Sequence, residues 1–264
     1  MNIIKNIVNN RRLVLSLSVN DFKTKYSGSQ FGIIWAFVQP VVTIFIYIFV
    51  FQVISKANPI ASGFPFVLWL IAGMIPWFFF SESVVNGTTA LIEYSYLVKK
   101  VVFNIQILPV VRVLSAIFVH AFFVLFTIVI FIVSGYMPTV YYLQIIYYMF
   151  CCIALTSALS YITAAIMPFF RDFLQLVNIF LMLGMWACPV MWDYQTLIPL
   201  KYQWIIRINP VFYIIQGYRD SFLDGVWFWQ KPADLVCFWL VTILILIVGC
   251  RMFSKLSVHF ADVL

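Results

Sequence analysis

The sequence predicts an all-α polytopic membrane protein with about six transmembrane helices. Three observations predict it. Of 264 residues, 64% are hydrophobic and only 9% charged, with mean hydropathy +1.03; a soluble domain carries about 25% charged residues to face water. Apolar stretches long enough for a span of about 20 residues recur along the chain. Lysine and arginine are shared unequally between the segments that separate them. Only a bilayer tolerates so apolar an outer surface, and inside it each backbone polar group must be satisfied within helices or a closed barrel.

The predicted spans, in order, are Gly32–Ile54, Phe66–Leu91, Ile107–Ser134, Tyr141–Phe170, Phe173–Trp192 and Leu235–Phe253. Glu82, Asn86, Thr88 and Thr89 dilute the second. Phe and Trp crowd the span ends, as an interfacial belt requires. Residues 1–30 hold Arg11, Arg12, Lys23 and Lys25 and lack an apolar core long enough for a cleavable signal. The whole chain, 1–264, reads as a single transmembrane domain.

Orientation follows from charge. With the N-terminus inside, cytoplasmic segments hold Lys5, Arg11, Arg12, Lys23, Lys25, Lys99, Lys100, Arg112, Arg171, Arg251 and Lys255. External segments hold Lys56, Lys201, Arg207, Arg219 and Lys231. Both termini are therefore expected in the cytoplasm. The net charge of +7 reflects this asymmetry and attraction to anionic lipid. No basic soluble module is present, so nucleic acid is not an expected partner.

Four pieces lie between the spans. In residues 1–30, Leu15, Val19, Phe22 and Tyr26 recur at helical spacing beside Lys23 and Lys25. They suit either an interface helix with snorkelling lysines or a plain positive flank, with Gly28 allowing a tight break. The segment 93–106 is short and amphipathic, with Tyr94, Leu97 and Val101 on one face and Lys99 and Lys100 toward water. It is either a docking helix or a connector on the membrane. Arg171 and Asp172 form a tight cytoplasmic turn, their charges free to pair. The external segment 193–231 is unusually apolar. Asn209-Pro210 divides it into two short helices, which are either re-entrant over a pathway or an amphipathic surface lid.

Several chemistries have no motif here. No Gly-x-x-x-x-Gly-Lys-Ser/Thr loop occurs, so nucleotide binding through a P-loop is not expected. His120 and His259 are far apart, and Cys151, Cys152, Cys188, Cys237 and Cys250 form no Cys-x-x-Cys pair. No metal site is expected, and the thiols read as small packing residues. Hydrolytic motifs and clustered carboxylates are missing, so the chain is not expected to be an enzyme. Glu82 is the acid expected within a span, either functional or bonded to Ser81, Ser83 or Asn86; Arg112 is expected to snorkel. Most aromatics should pack, but Trp35, Tyr47, Phe51, Trp77 and Phe78 also offer flat faces for weak, repeated contact with sugars along a path.

Four ordered blocks carry a resemblance. They are Asn20–Pro40, Gly73–Phe103, Arg171-Asp172 after Phe169-Phe170, and Asn209–Leu223 after Cys188-Pro189-Val190-Met191. The first holds Asp21, Lys23, Lys25, Tyr26, Gly28, Ser29, Gly32, Trp35 and Pro40 in the spacing Asp-x-Lys-x-Lys-Tyr, Gly-Ser, Gly, Trp, Pro. The chain resembles the membrane subunit of the ABC-2 type polysaccharide exporters, which include permeases for O-antigen, capsule, wall teichoic acid and rhamnose-rich polysaccharide.

The resemblance implies the ABC-2, type V exporter fold in a bacterial inner membrane. It implies two copies of this chain with two copies of an ABC ATPase that holds the ATP and Mg. The coupling residues would be Tyr94, Tyr96, Leu97, Lys99 and Lys100, with Asp21, Arg171 and Asp172. The external gate would comprise Pro189, Met191, Asn209, Pro210, Tyr213, Tyr218 and Arg219. The substrate would be a polyprenyl-diphosphate-linked glycan, its diphosphate drawn by Arg12, Lys23, Lys25 and Tyr26 at the cytoplasmic face and the path opening between spans one and five. The competing readings are an ABC-2 exporter of a drug or lipid, and a gradient-driven transporter using Glu82.

Overall fold

The computed structural model describes residues 2–25, 31–54, 63–98 and 104–264, and the regular elements among them are all helical. The chain begins with α1 (Asn2–Asn9) and α2 (Arg11–Lys25). A 3₁₀ turn at Gly32–Ile34 leads into α3 (Trp35–Ile48), which loosens into a π turn at Phe49–Ile54. Then come α4 (Phe66–Glu93), α5 (Ser95–Val98), α6 (Leu108–Ser115), α7 (Ile117–Val133), α8 (Gln144–Ile166) and α9 (Phe173–Ala187). The short helices α10 (Tyr194–Leu197), α11 (Gln203–Arg207) and α12 (Pro210–Arg219) precede α13 (Pro232–Leu256) and α14 (Phe260–Val263).

With their flanking turns, five helical stretches are long and apolar enough to cross a bilayer: Gly32–Phe51, Phe66–Glu93, Ile105–Val133, Val140–Ile166 and Pro232–His259. These match five predicted spans. The predicted span Phe173–Trp192 is cut short. Its helix, α9, has 15 residues and rises about 22 Å at 1.5 Å per residue, below a hydrocarbon core of about 30 Å. The stop is steric. A residue before proline is pushed out of the helical region, and Cys188, before Pro189, sits at φ −84°, ψ 142°. The chain then turns inward, burying Pro189, Val190 and Met191.

The core forms around α4 and α8, with α8 packed most extensively against α13 and α4. Small residues permit that approach, the usual device where lipid offers no hydrophobic drive between helices. A Cβ on Gly87 would lie 1.9 Å from the Ser160 hydroxyl, and one on Gly249 would lie 2.9 Å from the Ala158 carbonyl oxygen. Cys151 and Cys152 are buried on the same helix, and all five cysteines are free thiols.

The two halves predicted for the segment 193–231 differ. In α11 only Gln203 is buried, whereas α12 is buried along nearly its whole length, packed on α4, α8 and α13. The break between them falls at Asn209-Pro210, as the sequence predicts. Asn209 is extended and its side-chain oxygen accepts from the Val211 N–H, while Pro210 takes the first helical position, where a missing N–H costs least.

Candidate functional site

Two ion pairs and a shared hydrogen-bond network fasten α2 to the bundle. Asp21 and Lys25 are four residues apart and so share one face of α2. Arg112, on α6, reaches Asp21 Oδ1 through Nη1 at 2.8 Å and Glu93 Oε1 through Nη2 at 2.8 Å, and its Nε donates to the Asn86 carbonyl at 3.3 Å. Arg112 is 4% exposed, so the expected snorkelling does not occur. Two carboxylates and a carbonyl satisfy the guanidinium in place, and a buried charge persists only with such partners. The Tyr94 hydroxyl donates to the same Asp21 oxygen at 2.6 Å. Burial first, and then the neighbouring carboxylate, push this phenol above its ordinary pKa. Asp21 Oδ2 is buried and has no hydrogen-bond partner among the described residues.

One turn further along α2, Lys25 Nζ meets Glu82 Oε1 at 2.6 Å and Asn86 Oδ1 at 3.3 Å. Glu82 thus finds a cation, not the neighbouring hydroxyls. The pair borders a cavity of about 620 Å³ between the first span, α4 and α9, lined by Lys25, Trp35, Phe78, Glu82, Asn86 and Asn178 among others. Asn86 is buried and its Nδ2 has no hydrogen-bond partner among the described residues. The cavity therefore offers a cation, a carboxylate, amide donors and a half-exposed indole face. Such a set serves polyhydroxylated or phosphorylated groups, which need both donors and acceptors.

A second buried guanidinium organises the other end. Arg219 is fully buried. Its Nη1 and Nη2 donate to the carbonyls of Pro189 and Val190, each at 2.7 Å, and its Nε donates to the Trp69 carbonyl at 3.4 Å. The guanidinium lies 3.4 Å from the centroid of the Trp69 ring, a cation–π arrangement. Gly73 makes room, since a Cβ there would lie 2.5 Å from Arg219 Nη2. Asn209 Nδ2 donates to Cys188 Sγ at 2.9 Å. Together these contacts clip the end of α9 to α4 and α12. Beside them, the Tyr218 hydroxyl meets His120 Nε2 at 2.6 Å and the Tyr213 hydroxyl meets that of Tyr147 at 3.2 Å.

Residues 12–223 match the ABC-2 type transporter family. The chain belongs to that family. It is also 29% identical to an O-antigen export system permease protein RfbA of Klebsiella pneumoniae, over 96% of this chain and 95% of that protein. It is 28% identical to an RfbA of the same name from Myxococcus xanthus, over 84% of each chain.

In this ABC-2 transporter chain the predicted site residues separate into groups. Of the residues expected to draw a diphosphate, Lys25 lines the cavity. Lys23 is exposed on another face of α2, and Arg12 is exposed at its far end, about 20 Å away by helical rise. Tyr26 lies outside the described residues. Of the predicted channel aromatics, Trp35 and Phe78 line the cavity and Trp77 is buried beside Gly184 of α9. Tyr47 and Phe51 pair with one another, and Phe51 also meets Phe66.

Of the coupling residues, Tyr96 is exposed, Leu97 half-buried and Asp21 buried in the Arg112 network. Arg171 and Asp172 are both exposed, and no ion pair joins them among the described residues. Lys99 and Lys100 lie outside the described residues. Of the gate residues, Pro189, Met191, Tyr213, Tyr218 and Arg219 are buried, and Asn209 and Pro210 are half-buried. Sequence reasoning missed the partners of Arg112 and Lys25. The one legible signal was the Asp21–Lys25 spacing, which sets two opposite charges on one helical face.

Proposed function

We propose that this chain is the transmembrane subunit of an ATP-driven exporter that moves a polyprenyl-diphosphate-linked envelope polysaccharide across a bacterial inner membrane. The observation that carries the reading is the cavity between the first span, α4 and α9, where Lys25, Trp35, Phe78, Glu82 and Asn86 meet. Cation, amides and indole match the parts of a glycosyl diphosphate: charge for the phosphates, amides for hydroxyls, a flat face for a sugar ring. Names given to the similar RfbA proteins support a glycan cargo.

Energy comes from two copies of a separate ATPase, which hold ATP and Mg. They dock on α5, where Tyr96 is exposed, and on the exposed Arg171–Asp172 turn, and the charges of Lys99 and Lys100 serve the same docking. Movement of α5 reaches the cavity through the Tyr94–Asp21 hydrogen bond and one turn of α2, which carries Lys25 to its partner Glu82. Both termini are cytoplasmic. The helix α9 and the residues after it make a sixth crossing, accommodated by local thinning of the bilayer. A second copy of the chain covers the exposed apolar faces of α3 and α9 and closes the cavity into a path. The buried α12 and its clip to α9 form the external gate.

Two measurements test this. Co-purification from native membranes should recover a P-loop ATPase at about one to one; a stable permease without one would sink the ATP-driven reading. In reconstituted complexes, Lys25→Ala should reduce glycan export while assembly is unchanged, whereas Lys23→Ala, facing away from the cavity, should reduce it far less. Equal loss from both would mean that surface charge, not the cavity, handles the diphosphate.

A further inference from the structure

A second cavity lies on the other side of α9. Its volume is about 280 Å³, and its wall includes Trp77, Phe80, Thr163, Val177, Phe180 and Leu181, carried by α4, α8 and α9. The lining is almost wholly carbon. Leu181 belongs to both cavities, and α4 supplies consecutive residues to the two sides: Phe78 and Val85 to the polar one, Trp77 and Val84 to the apolar one. Gly184 keeps the apolar cavity open at Trp77, because a Cβ there would lie 3.2 Å from that indole. One chamber that carries charged and amide groups and one that is almost wholly apolar thus both border Leu181.

We infer that the two chambers form one amphiphile site, with the polar head of a lipid diphosphate beside Lys25 and Asn86 and the first part of its long apolar chain in the Trp77–Phe180 chamber. The inference rests on the reading above and adds a place for the lipid. Head and chain are covalently joined, so a site for both must change from polar to apolar within a few ångströms. Among the cavities described this juxtaposition does so. The polar chamber holds the buried Asn86 amide donor without a hydrogen-bond partner among the described residues and the Lys25 cation, whose partly exposed carboxylate partner Glu82 an anionic head would displace. The apolar chamber gives a chain contacts with aromatic rings and aliphatic side chains, with Thr163 and Asn209 as the polar side chains in its wall.

The test uses the permease assembled with its ATPase in nanodiscs, photolabelled with a diazirine-tagged polyprenyl diphosphate and mapped by peptide mass spectrometry. Label is expected on the α8 and α9 stretches that carry Thr163 and Phe180. Excess untagged polyprenyl phosphate should compete it away, phosphatidylglycerol should not, and Lys25→Met should reduce it about tenfold, the loss of one charge-assisted contact. Val177→Phe, which fills the chamber, should abolish it while the polar chamber still labels; Lys25→Met leaves the core untouched and keeps the test valid if the larger side chain misfolds. Equal competition by phosphatidylglycerol would overturn the inference, since the chamber would then be an ordinary lipid-facing groove. Label confined to the polar chamber would also overturn it while leaving the proposed function standing. Absence of label from both chambers, in a complex that exports no lipid-linked glycan, would remove the two together.

Discussion

The helices α4 and α9 border both cavities, yet the protein treats them oppositely. Of the most apolar window of α4, 78% is buried inside the chain, and among its neighbours are α6, α7, α8, α9 and α12. Only Val177 is buried on α9, while Ile179, Phe180, Met182, Leu183 and Trp186 face outward. The more polar of the two is the more deeply enclosed. In lipid, apolar side chains gain little by leaving the surface, whereas Glu82 and Asn86 gain Lys25 as a partner. Polar residues within a span therefore mark the helix that others assemble around. The first span, with 11% of its window buried, sides with α9, and these two weakly packed helices form the flanks of the polar cavity.

This contrast yields graded predictions. The largest effect is expected where a charge is buried at the hub's edge. Arg112→Ala leaves Asp21 without its cation inside the protein and should cost about 3–5 kcal/mol, read as a lowered unfolding temperature in detergent. Adding Asp21→Asn should restore part of the loss; no rescue would mean that the guanidinium works by packing and not by charge. Next come the close approaches. Gly217→Ala would set a Cβ 2.0 Å from the Tyr148 ring and should cost about 1–3 kcal/mol through overpacking. A neutral result would show that α12 can slide off α8.

A smaller effect with a definite sign is expected at Asp220. It pairs with Lys231, but burial outweighs that attraction and raises its pKa above 3.8. A carboxyl whose folded pKa is raised contributes stability that is full below the ordinary pKa and is lost as pH rises through the folded one. At neutral pH, Asp220→Asn should therefore be neutral or slightly stabilising. Its stability should also rise less on acidification than the parent's, as thermal unfolding across that pH range would reveal. The smallest effect belongs to the periphery. Phe45→Ala on α3 and Phe180→Ala on α9 remove exposed rings and should change the stability of the single chain by about 0.5 kcal/mol or less. A loss comparable to that of Gly217→Ala would erase the distinction between hub and flank.

Much was legible without coordinates, for reasons that differ by residue. Five spans follow from hydropathy, because a helix long enough for the bilayer must be apolar along its length. The break at Asn209-Pro210 follows from the cap and the missing N–H, and both are properties of two adjacent residues. Pro189 carried the signal that shortened α9, but a run of apolar residues to Trp192 masked it. Arg112 misled because an arginine near a span end ordinarily snorkels, and the carboxylates that hold it stand 91 and 19 residues away in sequence.

By itself, then, the sequence determined that this is an all-helical membrane protein, where its longest helices run, and where the chain turns between α11 and α12. Local chemistry acts over a few residues, and the bilayer imposes one length and one polarity on every span. Only the tertiary structure decided that α4 is the hub, that Lys25 and not Lys23 faces the cavity, and that Arg219 clips the end of α9 to α4 and α12. Those outcomes depend on which distant donors meet which acceptors. A buried polar group takes whichever partner the packing brings within about 3 Å, and in lipid that partner is not implied by hydropathy.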